Sequence, residues 1–395
     1  MEAALKEILK IDKTNWTQVN FGDVVFEPKE NAKDIYNEGI EHVVGLEHID
    51  SENIHLTRSG KLEESTTFSK KFRKGDVLFG RRRAYLKKAA LANFDGICSG
   101  DITVFRAKKN LIPELLPFIV NNENFFDYAV KHSAGGLSPR VKFKDLANYE
   151  FLLPPKDQQA QLAELLWAMD EVIEREREVL ERLSVYKKSF EVRNLLKHNS
   201  SIEDKLPNGY EVFKLGEIAE ISGGSTPSRD KEEYWGGEIP WLTPTDVTNH
   251  DRINLSQTKE NITEIGLKNI SNRLYLPGAI LYCSRATIGF AIINDVPMAT
   301  NQGFSNFMVN EKTRNYFLYF LLKHLTPELT RLAGGSTFLE ISKSAIRNFK
   351  VVIPPLDVQE KIEFKLREFE NNRIAIESKI TNSKALQKSL INQIF

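Results

Sequence analysis

One ten-residue segment of this chain occurs twice, at a spacing of 200 positions. Leu153-Pro154-Pro155-Lys156-Asp157-Gln158-Gln159-Ala160-Gln161-Leu162 returns as Ile353-Pro354-Pro355-Leu356-Asp357-Val358-Gln359-Glu360-Lys361-Ile362. Each copy ends an apolar run and opens a long charged stretch. A residue before proline is pushed to extended geometry, and proline cannot donate to a continuing ladder. A strand therefore stops at each Pro-Pro and a helix starts. The chain reads as two tandem halves, each a globular unit followed by a helix.

Shorter markers extend the repeat. Lys74-Gly75-Asp76-Val77-Leu78-Phe79 parallels Pro277-Gly278-Ala279-Ile280-Leu281-Tyr282, a glycine turn feeding an apolar strand. Ala134-Gly135-Gly136 parallels Ala333-Gly334-Gly335, after amphipathic helices expected near 112–131 and 315–332. Gly22-Asp23-Val24 and Gly216-Glu217-Ile218 open the two units, and Asn301-Gln302-Gly303 is matched with Cys98-Ser99-Gly100. Between these markers the halves diverge. The expected divisions are a globular domain over 1–154, a helix over 155–198, a second domain over 199–354 and a helix over 355–395. The class is α/β (α+β).

Both helical stretches carry apolar seams. In the first, Leu162, Leu165, Met169, Val172, Val179, Leu183, Tyr186 and Phe190 step by three and four, broken only at Glu176, and are flanked by Leu166, Ile173 and Leu180. The second has Ile362, Leu366, Phe369, Ile376, Ile380, Leu390 and Ile394. Helices of about 34 residues are roughly 50 Å long. Each either lies on its own globular unit or pairs with the other; seams this long favour antiparallel pairing through Leu162, Leu166, Met169, Ile173, Leu180, Leu183, Ile362, Leu366, Phe369, Ile376 and Ile380. Asp357 and Glu360 fit a helix-start box. Residues 1–15 read as an extra short amphipathic helix that packs on the distal C-terminal helix.

Composition narrows the function. Of 395 residues, 41% are hydrophobic and 27% charged, with no apolar run long enough to span a membrane. The opening Met-Glu-Ala-Ala-Leu-Lys has no basic stretch ahead of an apolar run, so no secretory signal is expected. Cys98 and Cys283 read as buried thiols, and the seven histidines are too scattered for metal spacing. The expectation is a cytoplasmic protein without cofactor or metal. No phosphate loop, His-Glu-x-x-His or Gly-x-Ser-x-Gly is present, so no catalytic role is assigned.

Net charge is zero, yet Lys70–Lys88 holds nine basic residues against one acid, Asp76. A local basic face suffices for nucleic acid. Arg81, Arg82 and Arg83 follow a strand end, where side chains project from a rim, and arginine suits both phosphate and guanine. Lys87 and Lys88 extend the cluster; a solvated surface loop is the plain alternative. In the second half, Arg285 takes the place of Arg82, with Ser284 and Thr287 beside it. Asn301 and Gln302 either pair with adenine edges or cap a turn. Arg140, Lys142 and Lys343, past the paired glycines, complete the DNA-binding candidates.

The doubled Leu/Ile-Pro-Pro…Gln segment, the heptad helices, and Lys188-Ser189-Phe190 recurring as Lys388-Ser389-Leu390 together resemble the specificity subunit of type I restriction–modification systems. The resemblance implies two target-recognition domains joined by antiparallel coiled-coil helices. It further implies a split, asymmetric double-stranded DNA site whose unread gap the helices set. The implied partners are two methyltransferase subunits and restriction subunits, and the chain itself would catalyse nothing while an adenine in each half-site is flipped into the methyltransferase. The competing reading is a protein-binding coiled-coil scaffold without DNA specificity.

Overall fold

The computed structural model describes residues 11–62, 67–197, 199, 206–334 and 339–395. The chain forms two compact units. One runs to Arg177 and takes back Ser378–Phe395; the other is Glu178–Glu377. The N-terminal helix expected over residues 1–15 lies outside the described residues for 1–10, and Ile11 to Asn15 are not helical.

Both units are built alike. In the first, Thr17–Asn20 pairs antiparallel with Glu150–Leu153, so the strand before Pro-Pro is closed by the unit's opening strand. Glu211–Lys214 and Lys350–Ile353 do the same in the second. The main sheet of the first unit has the order Val25–Phe26, Ile102–Ala107, Val77–Gly80, Ala89–Leu91. The second has Ala219–Gly223, Phe304–Val309, Ile280–Cys283, Ala291–Asn294 and a fifth strand, Asn254–Leu255. In the first unit that fifth strand is reduced to one parallel bridge, His55 to Leu91. A smaller three-stranded sheet accompanies each. The matched turn glycines Gly75 and Gly278 have φ of 92° and 91°, a region open to glycine at little cost.

Two expected helices are each split. The first becomes Pro113–Leu115, Leu116–Val120 and Glu123–Lys131. The break occurs because Asn122 caps the last piece, accepting from Asn124 and Phe125 amides. The second becomes Asn315–His324 and Thr326–Thr330, broken where Pro327 removes a donor.

The long helices are Lys156–Glu191 and Leu356–Ile394. Each starts directly after Pro-Pro, so Asp357 lies within the first turn and pairs with Lys361 instead of forming a start box. The helices run antiparallel in both units. In the first, Leu166 accepts from Gln387 and Glu176 faces Lys379. In the second, Lys187 pairs with Glu370 and Phe190 meets Phe369.

The helices also close the cores. Ala163, Leu166, Leu390, Ile391 and Ile394 join Phe21, Phe79 and Phe125 in the first unit. Ile362, Leu366 and Phe369, with Leu195 from the segment Val192–Leu196 that follows the first long helix, join Tyr282, Phe307 and Phe317 in the second. Leu166, Ile173, Ile362, Leu366 and Phe369 are buried, whereas Leu162, Met169, Leu180, Leu183, Ile376 and Ile380 are half-buried. The seam differs from the three-and-four series: Leu165, Val172, Val179 and Tyr186 are exposed. Each helix packs on a globular unit as well as on its partner. The flanking stripe faces inward as a result, and Asp170 is buried beside it.

The repeated glutamines pin these joints. Gln159 Oε1 accepts from the Ile112 amide, and its Nε2 donates to the Asn110 and Pro154 carbonyls. Gln359 Oε1 accepts from the Arg314 amide and Thr313 hydroxyl, while Nε2 donates to Lys312 and Pro354 carbonyls. Both glutamines are buried with donors and acceptors used.

Candidate nucleic-acid interface

The same tip occurs in each unit. After Val77–Gly80, the chain from Arg81 to Arg83 is stitched to the loop that follows Gly135-Gly136: Arg83 N donates to Pro139 O and Val141 N to Arg81 O. After Ile280–Cys283, Ala286 N donates to Leu339 O and Ile341 N to Ser284 O. Isolated bridges match Arg82 with Arg140 and Arg285 with Glu340. Hydrogen bonding thus sets Arg82 and Arg285 at one repeat position, and Arg83 and Ala286 at the next. The latter two are left-handed, with φ of 54° and 61°. Strain of order 1–3 kcal/mol at both copies marks a tip held by its surroundings.

The two tips differ in charge. In the first unit Asp101 accepts from Arg140 Nε at 2.7 Å and Arg82 at 3.2 Å. Burial works against the Asp101 carboxylate, but the hydrogen bonds from Arg140 and Arg82 outweigh it and hold it below its ordinary range. Ser138 Oγ accepts from Arg82 at 3.0 Å and from Arg83 at 3.4 Å. Of the four arginines at this tip, Arg82 and Arg140 therefore share one acid. In the second unit Arg285 faces Glu340 at 3.8 Å, so the tip is nearly neutral.

Most of the remaining basic run is engaged elsewhere. Lys70 pairs with Glu27, Lys71 with Glu38 and Arg73 with Glu30. Lys88 donates to the Leu46 carbonyl. Lys87 pairs with Glu123, which also pairs with Lys388 of the second long helix. Those two ammonium groups pull the Glu123 carboxyl down to about 2. Lys142 is exposed just before the short helix Phe143–Leu146, whereas Lys343 is half-buried against Gly223.

In the second unit Ser284 is buried, and its hydroxyl faces Ser305 and Gly303 instead of solvent. Thr287 is half-buried behind it. Asn301 and Gln302 need a corrected alignment. Ser99 N donates to Val44 O and Asn301 N to Leu242 O, so Asn301 matches Ser99 and Gly303 matches Asp101. Matching glycine with glycine shifts the alignment by one residue, because the strand ladder sets the register. Asn301 Oδ1 caps its own turn by accepting from Gly303 N at 2.9 Å, as Ser99 Oγ does for Asp101. Gln302 is exposed and accepts from Thr226 in the Gly224–Pro227 loop.

Asp101 and Ser138 were not among the sequence candidates. An acid two residues past Ser99, in the segment matched with Asn301–Gly303, was the available signal. Sequence also missed Arg229, whose guanidinium lies 3.8 Å from the Trp235 ring centroid and binds both oxygens of Glu260. The scattered histidines concealed one cluster: His55 Nε2 lies 2.6 Å from Asp170 Oδ2, with Glu174 at 4.0 Å. Both cysteines are buried thiols, pushed up to about 12 by desolvation. No described helix is long and apolar enough to cross a membrane.

Comparison with known proteins follows this doubling. The model of the type I restriction modification DNA specificity domain matches residues 5–184 and again 207–383. The type I restriction enzyme MjaIX specificity subunit of Methanocaldococcus jannaschii is 39% identical over 186 residues, 47% of this chain and 42% of that protein. The HindI specificity subunit of Haemophilus influenzae is 27% identical over 39% of this chain and 34% of its own length. These matches therefore span less than half of either relative. The putative MjaX specificity subunit of M. jannaschii is 25% identical over 82% of this chain and 79% of its own. The fold is shared with the type I restriction-modification S subunit from M. genitalium (TM-score 0.62, 14% identity, 98% of both chains). It is also shared with a chain solved in a study of type I R-M complex assembly and conformational transition (TM-score 0.58, 23% identity, 96% of both chains). With two copies of the family domain covering most of its length, the chain belongs to the type I restriction–modification DNA specificity domain family.

Proposed function

We propose that this chain is the DNA sequence-recognition subunit of a type I restriction–modification complex. Residues 1–154 and 199–354 are the target-recognition domains, and 155–198 and 355–395 are the spacer helices. Each domain presents its tip to one half of a bipartite, asymmetric site on double-stranded DNA. Two methyltransferase subunits dock on the chain, restriction subunits join them, and the chemistry belongs to those partners, in the cytoplasm. The observation that supports this best is the repeated tip with unlike side chains. One backbone device carries Arg81, Arg82, Arg83 and Arg140 in one unit and Arg285 with Glu340 in the other. Two unlike readers on one frame suit a two-part asymmetric site. The arginine-rich tip contributes phosphate contacts and salt dependence, whereas the second, with Arg285 and Gln302, reads through hydrogen bonds.

The helices set the unread gap between half-sites. Deleting one heptad from each, residues 174–180 and 374–380, keeps the facing stripe within about 20° and shortens the helices by about 10 Å. Methylome sequencing of cells carrying the deleted chain with its methyltransferase should show both half-sites intact and the gap about three base pairs shorter, at 3.4 Å per pair. An unchanged gap overturns the ruler.

A further inference from the structure

Leu137 is 98% exposed, the highest value for any large apolar side chain among the described residues. It is not on a loose segment. Ala134 and Arg140 exchange both backbone hydrogen bonds, at 3.0 and 2.9 Å, and so close the loop Gly135–Pro139 at its base. Pro139 O accepts from Arg83 N, and the Ser138 hydroxyl beside Leu137 accepts from Arg82 and Arg83 guanidiniums. The loop thus holds one bare leucine at its apex, among arginines of which only Arg82 and Arg140 share an acid, Asp101. Water is a poor environment for that side chain, and a fixed position gives it nothing to pack against within the described chain. Positive charge around a protruding apolar group suits a partner with a charged backbone and apolar surface between its charges. DNA has that composition, with phosphates outside and thymine methyls or base faces within.

Building on the DNA-facing reading of this tip, we propose that Leu137 makes an apolar contact with a base of the half-site read by the first domain. The contact is with either a thymine methyl or the face of an unstacked base. It fixes sequence without counterion release, so its signature is separable from that of the arginines.

The test uses the complete chain with its methyltransferase partner, on DNA carrying the motif found by methylome sequencing. Binding is measured across a salt series. Leu137→Ala should weaken specific binding about tenfold with the salt slope unchanged, and Leu137→Met should restore most of it. Replacing each thymine of that half-site with deoxyuridine should reproduce the loss in the wild type and add nothing in Leu137→Ala if a methyl is the contact. A 2-aminopurine signal that rises on binding, and is lost in Leu137→Ala, identifies an unstacked base instead. Wild-type affinity for Leu137→Ala, or an affinity loss without either base response, overturns the inference. If substituting Arg82 and Arg83 by Ala leaves the salt slope unchanged, the DNA-facing reading itself fails. A flattened slope with an unaffected Leu137→Ala sinks only the leucine contact.

Discussion

Replacing Gln359 by Met tests the joint at the second Pro-Pro. Methionine keeps most of the glutamine's length and volume but offers no amide. Gln359 is fully buried and makes four hydrogen bonds, to Arg314 N at 2.8 Å, Pro354 O at 2.9 Å, and Thr313 Oγ1 and Lys312 O at 3.1 Å. Neutral bonds contribute about 0.5–1.5 kcal/mol each, and a buried partner left unsatisfied costs about 1–3 kcal/mol. The Thr313 hydroxyl can rotate to another acceptor, whereas the Arg314 amide and Pro354 carbonyl are fixed. The apolar gain of the thioether offsets part of the loss. The expected destabilisation is about 2–4 kcal/mol. It should be local, because Gln159 still holds the other joint. Native-state hydrogen exchange read by mass spectrometry measures it: amides of Glu211–Lys214 and Lys350–Ile353 should lose protection by about 30- to 1000-fold, at 1.4 kcal/mol per tenfold. Those of Thr17–Asn20 and Glu150–Leu153 should change little. A loss within about 0.5 kcal/mol, the range of an ordinary surface substitution, refutes the view that the repeated glutamine fastens helix to domain.

Further outcomes concern charge. The hydrogen bond to Asp170 raises the His55 pKa, burial opposes it, Glu174 adds to it and Arg177 subtracts from it. A raised folded pKa means that the stabilisation is complete below about 6.5 and fades as pH rises through the folded value. The wild type should therefore lose thermal stability across that window relative to His55→Gln; parallel pH profiles rule this linkage out. Asp101→Ala frees Arg82 and Arg140 and removes the one acid they share. Non-specific DNA binding at low salt should tighten severalfold while discrimination between motif and non-motif DNA falls; unchanged discrimination means Asp101 does not position the tip.

The architecture was legible in sequence to an unusual depth because it is written twice. Pro-Pro stops a strand by local chemistry, so both joints and both helix starts follow without tertiary information. The tips were legible only as regions. Cys98-Ser99-Gly100 aligns with Asn301-Gln302-Gly303 by letters, yet the ladders make Asn301 the counterpart of Ser99, because strand register in each unit is fixed by hydrogen bonds to Val44 and Leu242 far along the chain.

Sequence by itself determined the duplication, the long amphipathic helices and the basic run Lys70–Lys88, since these depend on periodicity, proline and composition. Tertiary structure decided where each charge is used. It diverted Lys87 to Glu123 and Lys88 to the Leu46 carbonyl, buried Ser284, and put Asp101 between Arg82 and Arg140. It also turned the Leu166 and Ile173 stripe inward and left Leu165 and Val172 exposed. A helix that must face both a partner helix and a globular unit selects its buried side by the sum of those contacts, and no heptad count contains that sum.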